Sequence, residues 1–435
     1  MRGSVIVGAG IFAGNVTGFF RVAVTAYLLG TRARADALAV SMGPLDNLNS
    51  VIINTMLFAF VPMLMLRTNG ERMAVFVRGG RIFASVLAAA SAFTAVFADP
   101  LASIFGPGLA PPQHAEAAML IRYLAPATAF AGGAAIFSAL LYTERRFTAP
   151  VLYQCILNAM TIAGALCLWK DFGIIGFAVG YTTGAGVNLL VVWSASRDLR
   201  TRTRTEIEIP AREVLAPPGM FLLYAVLISL NIIVTRAYAT HGGPGMAAAL
   251  EYAMRCLSVG VAYLVFPVAH SLLPEIARLR GAGESARAYR LIDRSVALMA
   301  AGAVLSCVVA VLLRAPIITL LFERGSFTGD STRLVADVFL GFAPSLIGWT
   351  LMDLMSRCLF ALDRPKLPTL TSIVPVTVNV AVMMFLRSRH DLHGNPVVLG
   401  LGASAGLMTG FIVLFAVIHF RRRTPQLDAV TAQAR

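Results

Sequence analysis

Hydrophobic positions along this chain do not alternate as in strands or recur as one stripe of a soluble helix. They fill runs of around 18–25 residues, separated by short polar stretches rich in arginine. In a bilayer each backbone N–H and C=O must be satisfied within its own segment or a closed barrel, and runs of this length suit helices rather than barrel strands. The pattern predicts about twelve transmembrane helices, near residues 4–29, 37–66, 82–98, 117–142, 151–169, 174–194, 219–238, 246–274, 295–313, 333–361, 367–386 and 397–420. Pro44 and Pro344 fall inside two of these, where kinks are expected. The longest hydrophilic stretch, from Ser194 to Pro218, divides the runs into two sets of six. The chain therefore reads as an all-α polytopic membrane protein with an N-terminal lobe at 1–195, a linker at 196–218, a C-terminal lobe at 219–422 and a tail at 423–435.

The two sets resemble each other. LAPATAFAGGAAIFSALLYTERRFTAP parallels FAPSLIGWTLMDLMSRCLFALDRPKLP, and Pro126 and Pro150 match Pro344 and Pro368 at a common offset of 218. An even number of helices per repeat inserts both copies the same way up. The lobes are then related by a pseudo-two-fold along the membrane normal, with a site between them reached by rocking one lobe against the other.

Charges within such spans are costly and by default mark function. Five basic residues fall there: Arg21, Arg122, Arg236, Arg255 and Arg357. Arg122 and Arg236 lie near predicted helix ends and are expected to snorkel to the interface. Arg255 follows Glu251, and Arg357 follows Asp353, by four residues, so each pair shares a helix face. Local neutralisation and a cavity role are both open for these pairs. Arg21 has no acid three or four positions away. It needs a partner across the bundle, a wet cavity or an anionic ligand. The guanidinium fork suits phosphate, and Asn15, Asn47, Asn49 and Asn54 suit sugar hydroxyls or packing between helices. The candidate binding set is Arg21, Asp36, Arg255, Glu251, Asn15, Asn49, Asp353 and Arg357.

Composition agrees with a lipid setting, at 57% hydrophobic, 13% charged and mean hydropathy +0.76. The net charge of +14 does not point to nucleic acid, because its arginines sit between the spans. With both termini in the cytoplasm, 23 of the 36 basic residues fall on the cytoplasmic side, 8 on the other and 5 within spans. The five cysteines show no paired spacing. No metal, cofactor, nucleotide or catalytic motif stands in a fitting context, so a transporter is expected rather than an enzyme.

Residue patterns then point to a family. GFFR, ADALAV and AFVP in the opening stretch, EYAMRCLSVGVAYLVFPVAHSLLPEIAR, LLFERGSFT and FALDRPKLP together resemble the lipid II flippase family of MurJ/MviN type, within the multidrug/oligosaccharidyl-lipid/polysaccharide exporter superfamily. The resemblance implies an inner-membrane flippase for a polyprenyl-pyrophosphate-linked saccharide, either lipid II-like or an exopolysaccharide repeat unit. Membrane lipids would surround it, and cell-wall or polysaccharide synthesis proteins would be its partners. Arg21, Asp36 and Arg255 fall on motif positions that serve the family's central cavity. Asn15 stands where the first-helix motif has its first arginine, and Asn49 where more arginine is expected. Members with a cation site carry acids near the seventh and eleventh helices, where Asn231 and Asn379 stand. The alternatives are a small-molecule antiporter of the same superfamily and a non-transporting partner in an envelope-polymer complex.

Overall fold

Among the described residues, thirteen helices of 14 residues or more carry the architecture. The computed structural model describes residues 2–55, 60–65, 67, 69–201, 219–362, 364–389 and 395–423. Most of the expected linker, from 202 to 218, and the tail from 424 lie outside the described residues. The N-terminal half contains α1 (Arg2–Leu29), α2 (Ala33–Thr55), α3 (Asn69–Val96), α4 (Pro111–Thr143), α5 (Tyr153–Cys167) and α6 (Ile175–Ala195). The C-terminal half contains α7 (Gly219–Ala239), α8 (Met246–Gly281), α9 (Ser285–Leu312), α10 (Gly329–Phe342), α11 (Ser345–Ala361), α12 (Ile373–Arg389) and α13 (Val397–Arg423). There is no strand among the described residues.

Eight of the described helices are long and apolar enough to cross a membrane, and nine if α10 and α11 count as one bent span. These two meet at 49° around Pro344, the kink expected from sequence. Pro44 instead sits inside a continuous α2. The helices α2 and α8 are not among the apolar ones. They carry Asp36, Asp46 and Asn49 (α2) and Glu251 and Arg255 (α8).

Packing follows the division into two sets. α4 is the hub of the first, touching α2, α3 and α6, while α5 binds α1 and α6. α13 is the hub of the second, with α10, α11 and α12 around it. Close approach depends on small residues, as is usual where lipid offers no hydrophobic drive. At the α5–α6 crossing a side chain on Gly164 would stand 2.5 Å from the Gly176 carbonyl oxygen. α2 is the main bridge between the sets, packing against both α7 and α8.

One end of this bridge is tightly fastened. The Asp36 carboxylate, at the start of α2, accepts from the backbone N–H groups of Gly245 and Ala248 (2.9 Å for the latter), the first turn of α8. Nearby, Thr31 and Ser331 hydroxyls lie 2.7 Å apart, the Ser326 N–H donates to the Tyr27 carbonyl at 2.8 Å, and Tyr252 donates to the Gly30 carbonyl at 2.8 Å. In the same region Phe19 stacks on Phe322, and Tyr252 packs against Phe322 in a tilted contact.

Candidate functional site

Below this fastened end, α1, α2 and α8 enclose a cavity of about 50 Å³ lined by Arg21, Met42, Gly43, Asp46, Glu251 and Tyr252, among others. It lies between the two halves, because α1 and α2 belong to one and α8 to the other. Arg21 finds its partner 25 residues on. Its Nη2 donates to Asp46 Oδ2 at 2.9 Å. Asp46 Oδ1 accepts from the Tyr181 hydroxyl at 2.7 Å, and that hydroxyl accepts from Asn49 Nδ2 at 3.1 Å. Asn49 and Tyr181 are both buried, so Asn49 stands behind Asp46 rather than against a ligand.

The pairing expected on α8 is not the one formed. Glu251 accepts from Arg236 of α7, through Nε at 3.1 Å and Nη2 at 2.7 Å, not from Arg255. Arg236 was expected to snorkel, but it is buried. Gly43 on α2 provides its socket, since a Cβ there would stand 2.6 Å from the Arg236 Cζ. Arg255 turns the other way, onto α1, where its Nη2 donates to the Asn15 carbonyl at 2.9 Å. Gly18 provides that socket, as its Cβ would come within 2.2 Å of the same nitrogen. A shared helix face allowed the Glu251–Arg255 contact, but the buried Arg236 brings two donors to one oxygen, Glu251 Oε2, and takes the carboxylate instead.

Each of these three arginines keeps one buried nitrogen without a partner in the protein: Nη1 of Arg21, Nη1 of Arg236 and Nε of Arg255. Unsatisfied buried donors cost about 1–3 kcal/mol each, more when charged. Of the three, Arg21 lines the cavity itself, and Arg236 stands beside it through the lining residues Glu251 and Gly43.

The remaining candidates lie elsewhere. Asp36 is buried and spent on the α8 N-terminus, where a carboxylate complements the helix dipole. Only the backbone of Asn15 reaches the cluster in a hydrogen bond. Asp353 and Arg357 form the expected pair at 3.0 Å, but Asp353 lines a separate cavity of about 70 Å³ within the second half, with Trp349, Asn231 and Thr235. There Asn379 donates to Asn231 Oδ1 at 2.7 Å and to Thr235 Oγ1 at 2.8 Å. Arg122 is half exposed and paired with Asp99, and it stands well inside α4 rather than near the helix end expected for it. The sequence reading missed Arg236, Tyr181, Gly18 and Gly43 as parts of the site, and left Asp46 out of the candidate set. The available signal was a glycine on α1 and α2 facing each long cation.

Known proteins share this frame. A chain described as "Probable lipid II flippase MurJ" from Rhizobium meliloti (strain 1021) is 26% identical over 98% of this chain and 82% of its own length. One from Thermotoga maritima (strain ATCC 43589 / DSM 3109 / JCM 10099 / NBRC 100826 / MSB8) is 25% identical over 93% and 82%. Among solved structures, "Lipid II flippase MurJ, inward closed conformation" superposes with a TM-score of 0.82 at 19% identity, covering 95% of this chain and 87% of that one. An inward-facing multidrug resistance MATE family transporter superposes at 0.76 and 12% identity, covering 93% and 94%, which shows the shared fold. The profile of the family described as "Lipid II flippase MurJ" matches residues 25–434, and the chain belongs to that family.

Proposed function

We propose that this protein moves a polyprenyl-pyrophosphate-linked saccharide, lipid II foremost, across the inner membrane, with the pyrophosphate held between the two halves by Arg21, Arg236 and Arg255. The observation that carries this reading is a cluster of three arginines between the halves: Arg21 lines the cavity, Arg236 is paired with its lining residue Glu251, Arg255 reaches across from α8 to α1, and each keeps a guanidinium nitrogen that no protein group takes up. Arginine keeps its charge in a low-dielectric setting and matches phosphate oxygens in pairs. A cationic cargo would find no acid there free of arginine, since Asp46 and Glu251 are both paired. Family membership favours lipid II, and the named relatives support that choice. In this reading the lobes at 1–195 and 219–422 rock about the cavity, both termini are cytoplasmic, and the Asp36 end faces outward. Asp353 and Arg357 serve the second lobe rather than the pyrophosphate.

Reconstitution tests the cargo. Proteoliposomes carrying this protein and fluorescent lipid II are expected to expose the label to an external reductant faster than protein-free vesicles. Arg255→Ala is expected to slow this about tenfold or more. Export of a labelled organic cation with no movement of lipid II, or of any polyprenyl-pyrophosphate saccharide, overturns the reading in favour of an antiporter.

A further inference from the structure

The two ion pairs at the cavity are built differently. Arg236 directs two nitrogens, Nε and Nη2, at one oxygen of Glu251, Oε2. Arg21 gives Asp46 only Nη2, because Asp46 Oδ1 is taken by the Tyr181 hydroxyl, and Arg21 Nη1 stays unspent. A carboxylate placed only to neutralise Arg21 would take the two-pronged geometry, which is stronger. The one-pronged contact is the exchangeable one of the two.

We propose that Asp46 is a built-in anion that occupies Arg21 while the site is empty and yields it to the cargo, so that Asp46 sets the affinity and the charge preference of the site. The inference rests on the proposed phosphate reading and adds to it a residue which that reading does not require. Charge supports it. Three guanidinium groups and two carboxylates gather where α1, α2, α7 and α8 meet beside the cavity, Arg21, Arg236 and Arg255 against Asp46 and Glu251. The surplus is one positive charge, whereas a pyrophosphate diester carries one negative charge on each phosphorus. Neutralising Asp46 brings the surplus up to match. Tyr181 and Asn49 form a chain behind Asp46 that keeps the carboxylate beside Arg21 without clamping it.

Binding of farnesyl pyrophosphate and farnesyl monophosphate to the purified full chain in detergent tests this. Asp46→Asn and Asp46→Ser are each expected to bind farnesyl pyrophosphate about tenfold tighter than wild type, with a smaller gain for the monophosphate. Adding Arg21→Ala to either variant is expected to erase the gain. Unchanged or weaker binding in both Asp46 variants, with Arg255→Ala still losing affinity, overturns this inference and leaves the phosphate reading intact. No binding of either probe by wild type and variants alike removes the phosphate reading, and this inference with it.

Discussion

Two glycines make room for two of the deep arginines. Gly43 makes room for Arg236 beside α2, and Gly18 draws Arg255 onto α1 and away from Glu251. The spacing of Glu251 and Arg255 was legible in the sequence, and it correctly puts both on one face of α8. It could not tell which neighbour would compete, because the competitor, Arg236, lies on another helix, and its socket on a third. Asp46 was equally hidden, since a contact across 25 residues obeys no helical spacing rule. The Asp353–Arg357 pair was legible because both partners sit on one helix with nothing nearer intervening. The ion pair on α7 and α8 gives a direct test. Glu251→Ala strands a buried guanidinium, so unfolding in detergent is expected to become easier by about 3 kcal/mol. Replacing both partners with methionine removes the stranded charge and is expected to restore most of that stability. A single variant as stable as wild type shows that Arg236 finds another partner.

At the level of elements, hydropathy showed where lipid is, not where helix is. α3 begins at Asn69 although its apolar run was expected from residue 82, and α8 continues to Gly281 past an expected end at 274. Both extensions are rich in arginine and glutamate, which are good helix formers that water solvates well. The Pro344 break was foreseen because proline removes a backbone donor and clashes with the preceding turn. The capping of α8 by a residue of α2 was not, because the two are 209 residues apart. That cap joins the halves. Asp36→Ala removes the acceptor for two N–H groups of the first turn and is expected to cost about 1–2 kcal/mol of stability in detergent unfolding. Gly245 has φ of +89° and faces the Thr31 carbonyl so closely that a Cβ would lie 2.1 Å from its oxygen. Gly245→Ala is therefore expected to part the two elements more than Asp36→Ala does. Maleimide labelling of a cysteine at position 31 reads the order: wild-type background lowest, Asp36→Ala higher, Gly245→Ala highest. Equal labelling in all three shows that the cap does not hold this end shut.

For the whole molecule, the all-helical two-lobed frame was legible because a bilayer leaves a chain so few options. The face that meets water on each side is a matter of charge placement and enters the proposed orientation only through the arginine bias. The rocking of one lobe on the other has a specific consequence at the fastened end. Thr31 and Ser331 belong to different halves, and their hydroxyl oxygens are 2.7 Å apart. Cysteines in these two places bring their sulfurs within reach of one another for a disulfide, but only while this end is closed. The double variant Thr31→Cys/Ser331→Cys is therefore expected to cross-link on mild oxidation and then to stop moving fluorescent lipid II in proteoliposomes. Reduction is expected to restore the rate. Each single variant is expected to ignore the oxidant, which separates the bridge from oxidation of the five native cysteines. If the bridged protein transports at the full rate, the halves do not part here during the cycle. The cargo must then leave by a path that keeps the Asp36 cap and its neighbours closed.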